Sequence, residues 1–360
     1  MNWLGLRDPA GGVFNPAGLA GTAPRPAQPE EMLPSGTLLL DISIMPSLTE
    51  QTLLSYQATD PWRTALTLSL DPQGVLILRQ TQGEDVRHYV LKTGLKGRAA
   101  MTTIVFAWDA PNRRALLSAE VPDTGANWFM QAHGPLPLSV QDARRIVTDR
   151  HACHVMPGTG FVAIAEGVMP IGPLPSLDPA TLVATPKGAV ALAALRPGQI
   201  VTTATGGTAQ IRWTGGVSLP ARGRFAPLHL RAPFYGARRD IHLAPCQRIH
   251  FRSTEVEYLF ATHTVAARAG DLLDGVGPRQ TGSALTVDYR QIVLDRPAAI
   301  AVHGVTCATL DIMPLLADPA LRAASILRDI PVELLPHPAP RDIQRLQGFE
   351  TRSLCELRVA

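Results

Sequence analysis

Leu66-Thr67-Leu68-Ser69-Leu70-Asp71-Pro72-Gln73-Gly74-Val75-Leu76-Ile77-Leu78 is the stretch that decides the fold class. Leucine alternates with a hydroxyl residue over 66–70, the two-residue period of a strand with one buried face. Asp71-Pro72-Gln73-Gly74 supplies turn chemistry, and an apolar run follows at 75–78. Together they predict a β-hairpin.

Working outward, residues 37–44, 88–91, 102–108 and 114–121 read as further strands. Asp109-Ala110-Pro111-Asn112 joins the last two as a second hairpin. Short strands at this spacing predict an antiparallel β-sandwich over residues 36–150. Residues 1–35 are rich in Pro, Gly and Ala without periodicity and read as a flexible arm. Pro135 and Pro137 interrupt 127–140, and 142–147 reads as a short helix or turn. Residues 151–175 read as a linker, ending in the Gly/Pro punctuation of 171–175. Residues 176–360 are again strand-rich. Their clearest helix spans 319–328, with Asp318 as N-cap, Pro319 at the first position, and Leu321, Ala324 and Leu327 on one face.

The 360-residue chain has 46% hydrophobic and 18% charged residues, a composition that builds packed cores rather than disorder. No run of 18 apolar residues occurs, so no membrane span is predicted. The opening Met1-Asn2-Trp3-Leu4 carries no secretory pattern. A cytoplasmic location is the default expectation, with export by a route needing no N-terminal signal left open. Net charge is +3, and no basic cluster interleaved with aromatics appears, so nucleic acid is not an expected partner. The four cysteines are too few and too scattered for a disulfide framework and read mostly as buried thiols.

Three constellations outside the main argument are worth testing. His151, Cys153 and His154 form a tight cluster in which the histidines would meet on a helical turn, but no second ligand pair is evident for zinc. Asp41, Asp109 and Asp123 could hold calcium if loops brought them together; solvated turn aspartates are the plainer reading. Trp108 and Trp128 could stack on sugar or fill the core. Otherwise no cofactor is expected.

The second half of the chain resembles the Hint (hedgehog/intein) domain proteins of alphaproteobacterial type. The resemblance rests on Gly172-Pro173-Leu174-Pro175-Ser176, Thr181 to Gly188, and Leu195-Arg196-Pro197-Gly198-Gln199-Ile200-Val201. It continues through Arg231 to Gly236, Leu243-Ala244-Pro245-Cys246-Gln247-Arg248, and Leu294-Asp295-Arg296. The region 37–121 resembles the concanavalin-like or laminin-G-like sandwich that can precede such domains. The implied fold is mainly β: a sandwich, then an all-β Hint-like domain with a C-terminal helix.

The resemblance also implies a chemistry, an acyl shift. A Cys or Ser at the domain's first position attacks the preceding carbonyl, and a central histidine protonates the departing nitrogen. Here the first position falls on Ser176, which is also readable as a linker serine. The central histidine position falls on Gln247, which has no proton titrating near neutrality. The assisting hydroxyl position falls on Ala244, a later histidine on Pro297, and a further glutamate on Ala308. His250 and His242 flank the block and would replace the lost histidine only if the turn at Pro245 broke strand alternation. Cys246, with His242, His250 or His303, is an alternative nucleophile or an inert buried thiol. The expectation is a degenerate domain acting as a binding or structural module for a protein or glycan ligand. The alternatives are self-cleavage at Pro175–Ser176 and carbohydrate binding by the sandwich.

Overall fold

The computed structural model describes residues 1–21, 31–60, 62–272, 279–280, 284–337 and 343–359. The chain divides into two compact units, Met1–Met169 and Pro170–Ala360. It is mainly β throughout, and among the described residues no helix is long and apolar enough to cross a membrane.

The first unit contains β1 (Asn2–Asp8), β2 (Gly11–Phe14), β3 (Met32–Leu33), β4 (Ser35–Ile44), β5 (Gln51–Ala58), β6 (Thr64–Leu70) and β7 (Val75–Gln82). It continues with β8 (Asp85–Lys92), β9 (Ala100–Asp109), β10 (Arg114–Val121), β11 (Ala126–His133), β12 (Leu138–Ser139), α1 (Val140–Thr148), β13 (Cys153–Val155) and β14 (Thr159–Glu166). Two antiparallel sheets result, a seven-stranded β11-β10-β9-β4-β14-β1-β2 and a five-stranded β13-β5-β6-β7-β8.

The hairpin that set the fold class is β6–β7, in the register Leu68 opposite Leu78 and Leu70 opposite Leu76. Asp71 closes its turn, its carboxylate accepting from the backbone N–H of Gln73 and of Val75, both at 2.8 Å. Gly74 sits at φ +81°, where a Cβ would also meet the Lys96 backbone nitrogen. Alternation then sends Leu66, Leu68, Leu76 and Leu78 into one core with Leu38, Leu40 and Ile42 of β4.

Trp108 lies within this core at 0% exposure, its indole N–H donating to the Leu33 carbonyl at 2.9 Å. Gly36 faces that ring so closely that a Cβ there would stand 2.4 Å from it. Trp128 packs its ring against Gly94 and borders the core. Trp108 thus forms no open sugar platform, while Trp128 is half-buried.

The expected flexible arm is corrected over residues 1–21 and 31–35: β1 pairs with both β14 and β2, and Trp3, Leu4 and Leu6 are buried; the rest of that arm, 22–30, lies outside the described residues. The expected linker is corrected too, since β13 and β14 are strands of the first unit's two sheets. Residues 161–165 of β14 are buried on both faces, so the segment lacks the alternation that marks a half-buried strand.

The second unit contains β15 (Leu182–Thr185), β16 (Gly188–Ala191), β17 (Ile200–Thr202), β18 (Thr208–Pro220), β19 (Leu228–Leu230), β20 (Ile241–Leu243), β21 (Arg248–Phe251), α2 (Thr254–Phe260) and β22 (Val265–Arg268). After these come β23 (Arg279–Gln280), β24 (Thr286–Leu294), β25 (Ala299–Val302), β26 (Val305–Ala308), α3 (Met313–Ala317), α4 (Pro319–Ala323), β27 (Gln344–Arg345) and α5 (Gly348–Val359). Its sheets run β16-β15-β25-β26-β21-β22-β27, β17-β18-β24 and β20-β19-β23.

The helix expected at 319–328 starts as read, with Asp318 accepting from the N–H groups of Ala320 and Leu321, but stops at Ala323. Ser325 ends it: its hydroxyl donates to the Arg322 carbonyl and accepts from Leu327 N–H, diverting the backbone into a turn. The chain's terminal helix is α5 instead.

Candidate functional site

Ser176 lies just before an irregular clamp of backbone bridges. Leu177 bridges Leu243 on β20 and Arg290 on β24, while the Ser176 carbonyl accepts from Ala244 N–H at 2.8 Å. Gln247 occupies the turn between β20 and β21, its backbone N–H bonded to the Ala244 carbonyl and its carbonyl to Ala269 N–H. These contacts bring Ser176 and Gln247 together across 71 residues of chain.

The side chains form one buried network. Ser176 is 5% exposed, Gln247 2% and Gln291, on β24, 1%. The Ser176 hydroxyl donates to Gln247 Oε1 at 2.6 Å. Gln291 Nε2 donates to the same oxygen at 3.1 Å and reaches Ser176 Oγ at 3.4 Å. Gln247 Nε2 donates to the carbonyls of Arg248 at 2.7 Å and Ala308 at 3.0 Å. Gln291 Nε2 also reaches the Ala308 carbonyl, and Gln291 Oε1 accepts from Ile292 N–H. The amide orientations are fixed by these partners, because each Nε2 faces carbonyls and Gln291 Oε1 faces an N–H.

Chemically this network is closed. Ser176 points its proton at an amide oxygen, which accepts a hydrogen bond but is no base at neutral pH. Both Gln247 N–H bonds are committed to backbone carbonyls, so neither is left for a departing nitrogen. The Pro175 carbonyl, where an oxyanion would develop, accepts no hydrogen bond among the described residues.

His250 does not join Ser176. It lies within β21, opposite Ala266 and Thr306, on the strand face of Arg248 rather than that of Ile249 and Phe251. Burial, with the nearby guanidinium groups of Arg248 and Arg345, pushes its pKa down to about 4. It is therefore neutral at physiological pH and carries no proton to give. His242 faces outward on β20 and stacks on His229, ring centroids 4.7 Å apart. Cys246 is exposed rather than buried, while Cys153, Cys307 and Cys355 are buried. The Cys307 thiol is pushed up to about 12 by burial, which keeps it protonated.

The other constellations do not assemble. Cys153 points into the sandwich core and His154, its strand neighbour, to the opposite face, while His151 sits in the preceding turn rather than on a helix. Asp41 pairs in register with Thr103 and Asp109 with Ser35, which puts them about 20 Å apart along β4. Asp123 follows β10 at the end away from Asp109, so the three carboxylates do not converge. Among the described residues no group of three or more His, Cys, Asp or Glu could hold a metal ion.

Gln291 is the member that sequence reasoning missed. Its only signal was a lone amide heading the apolar run Ile292-Val293-Leu294, a buried polar group that must find partners.

No curated protein matches. Solved structures with partial likeness include the MchDnaB-1 intein (15% identity, TM-score 0.26, 36% of this chain and 98% of that one). A bacterial intein-like domain from Clostridium thermocellum matches at 15% identity and TM-score 0.27, over 38% of this chain and 99% of that one. The CBM40 of a Ruminococcus gnavus IT-sialidase, bound to alpha2,6 sialyllactose, matches at 14% identity and TM-score 0.29, over 39% and 80%. The family model described as the Hint domain matches residues 175–313, a span that opens one residue before Ser176 and takes in Gln247 and Gln291.

Proposed function

We propose that the Hint-like unit has lost self-cleavage and serves as a binding or structural module, with the Pro175–Ser176 bond intact. One observation carries this reading: Ser176 donates its proton at 2.6 Å to the side-chain oxygen of Gln247. An acyl shift needs a base to take the serine proton and an acid to protonate the leaving nitrogen. The network supplies only amides. We read the two compact units as two domains, the first of the concanavalin or laminin-G kind. Its two face-to-face antiparallel sheets support that reading.

The test is the intact mass of the full-length chain during incubation with hydroxylamine at neutral pH, which traps an ester formed at Ser176. The expected result is a single unchanged mass. A fragment ending at Pro175, abolished by Ser176→Ala, would establish the competing reading of an active N-to-O shift.

A further inference from the structure

The outer face of the five-stranded sheet carries a feature that the Hint-like unit does not explain. Register places His154 opposite Ser55, Ser55 opposite Thr67, Thr67 opposite Arg79 and Arg79 opposite His88. Each strand thus contributes one polar side chain to a single row crossing the whole sheet. All five point away from the core, because their strand neighbours Cys153, Tyr56, Leu66, Leu78 and Tyr89 point into it. At about 4.8 Å between strands the row is about 19 Å long.

The charge on this face is of one sign. Arg79, His88, His154 and Lys92 lie on it, all exposed. Its strands place no Asp or Glu there; Asp85 on β8 has the parity of Tyr89 and lies 3.5 Å from Arg87 on the other side. The guanidinium of Arg79, near the middle of the sheet, has no ion-pair or hydrogen-bond partner among the described residues. An isolated guanidinium flanked by hydroxyls and imidazoles, with no carboxylate to neutralise it, is complementary to an anionic ligand that also offers hydroxyls.

We propose that this sheet face binds an acidic, carboxylate-bearing polysaccharide laid across the strands. The strands of this face place no Phe, Tyr or Trp on it; its only rings are the imidazoles of His88 and His154. It therefore lacks the broad aromatic platforms on which successive bases stack, which counts against single-stranded nucleic acid. An acidic peptide recognised by its charge calls for a cluster of arginines, and the strands of this face place only Arg79 there. Ser55 and Thr67 supply hydroxyls to a sugar chain, while Arg79 takes a uronate carboxylate bidentately.

The experiment is affinity electrophoresis of the full-length chain through gels containing alginate, with dextran, poly-glutamate and a thymidine oligomer as parallel probes. Retardation by alginate alone is expected, weakening as salt is added. Arg79→Gln is expected to weaken it by about tenfold, the loss of one charge-assisted bidentate contact. Lys96→Gln, which removes the same charge from an exposed loop of the same unit, is expected to leave it within about twofold. Arg79 is exposed, so the variant keeps its fold, checked by an unchanged melting temperature. No retardation by alginate, equal retardation by poly-glutamate or the oligomer, or equal effects of the two substitutions overturns the proposal. This test is independent of whether Ser176 is reactive.

Discussion

Each unit buries a polar network around one hydroxyl, and the two are built differently. In the first, the Tyr56 hydroxyl donates to Asp142 Oδ1 at 2.5 Å, while Asp142 Oδ2 accepts from the Ser139 hydroxyl at 2.7 Å and closes the capping box of α1. In the second, the Ser176 hydroxyl donates to an amide oxygen, and every further partner is an amide or a backbone carbonyl. Both obey the rule that buried polar groups must be paired. Only the first holds a carboxylate, and there burial, followed by the hydrogen bond to Asp142 and then its charge, drives the Tyr56 phenol up, fixing it as a donor. The second can hold a shape but has no group that exchanges a proton near neutrality. The difference teaches that packing and reactivity separate cleanly. Amides can fill and satisfy a position that chemistry would require to titrate.

The strongest way to break the comparison is Asp142→Ala. It strips the Tyr56 hydroxyl of its acceptor and opens the capping box, and should cost about 3 kcal/mol in urea unfolding of the first unit. Gln247→Leu should cost about 2 kcal/mol in the second, because Ser176 and the Arg248 carbonyl lose their partner. Replacing Ser176, Gln247 and Gln291 together by Ala, Leu and Leu should cost less than the sum of the single changes, since no polar side chain of the three is left unpaired and only backbone partners such as the Arg248 and Ala308 carbonyls are orphaned. A strictly additive result would show that the three do not act as one network.

A pH series sharpens the same contrast. His250 is held neutral in the folded chain, its pKa about 4 against about 6.5 unfolded. Below pH 6.5 the unfolded chain binds the extra proton and the folded one does not, so stability is complete above 6.5 and falls as pH drops toward 4. His250→Asn should remove roughly 2 kcal/mol of that loss, with little change above pH 7. The smallest effect belongs to Ser176→Ala, about 1 kcal/mol, since Gln247 Oε1 keeps the Gln291 donor.

What the residues disclosed follows from how locally each feature is written. The β6–β7 hairpin was legible because alternation and an Asp-Pro-Gln-Gly turn lie within 13 residues. The neighbouring strand β5 was not, because a bulge between Thr52 and Leu54 sets Leu53 and Leu54 side by side and spoils the period. β1 was missed although its hairpin with β2 carries the local turn Asp8-Pro9-Ala10-Gly11; what ties it into the sheet is β14, more than 150 residues downstream, and nothing local announces that pairing. At the site, the positions of Ser176 and Gln247 came from the family resemblance, not from spacing. Gln291 reached the network through the register of β24, a long-range property that one sequence does not display.

The most direct test of the central claim is the Ser176→Cys variant of the full-length chain, followed by intact mass under thiol at neutral pH. A cysteine needs less help than a serine to attack, so the substitution removes the nucleophile's handicap and leaves only the missing proton donor. The account predicts a single mass at full length, because the network around position 176 supplies only amides, none of which protonates the leaving nitrogen. A fragment ending at Pro175 would contradict it, and would mean that the amide network is no barrier to the shift.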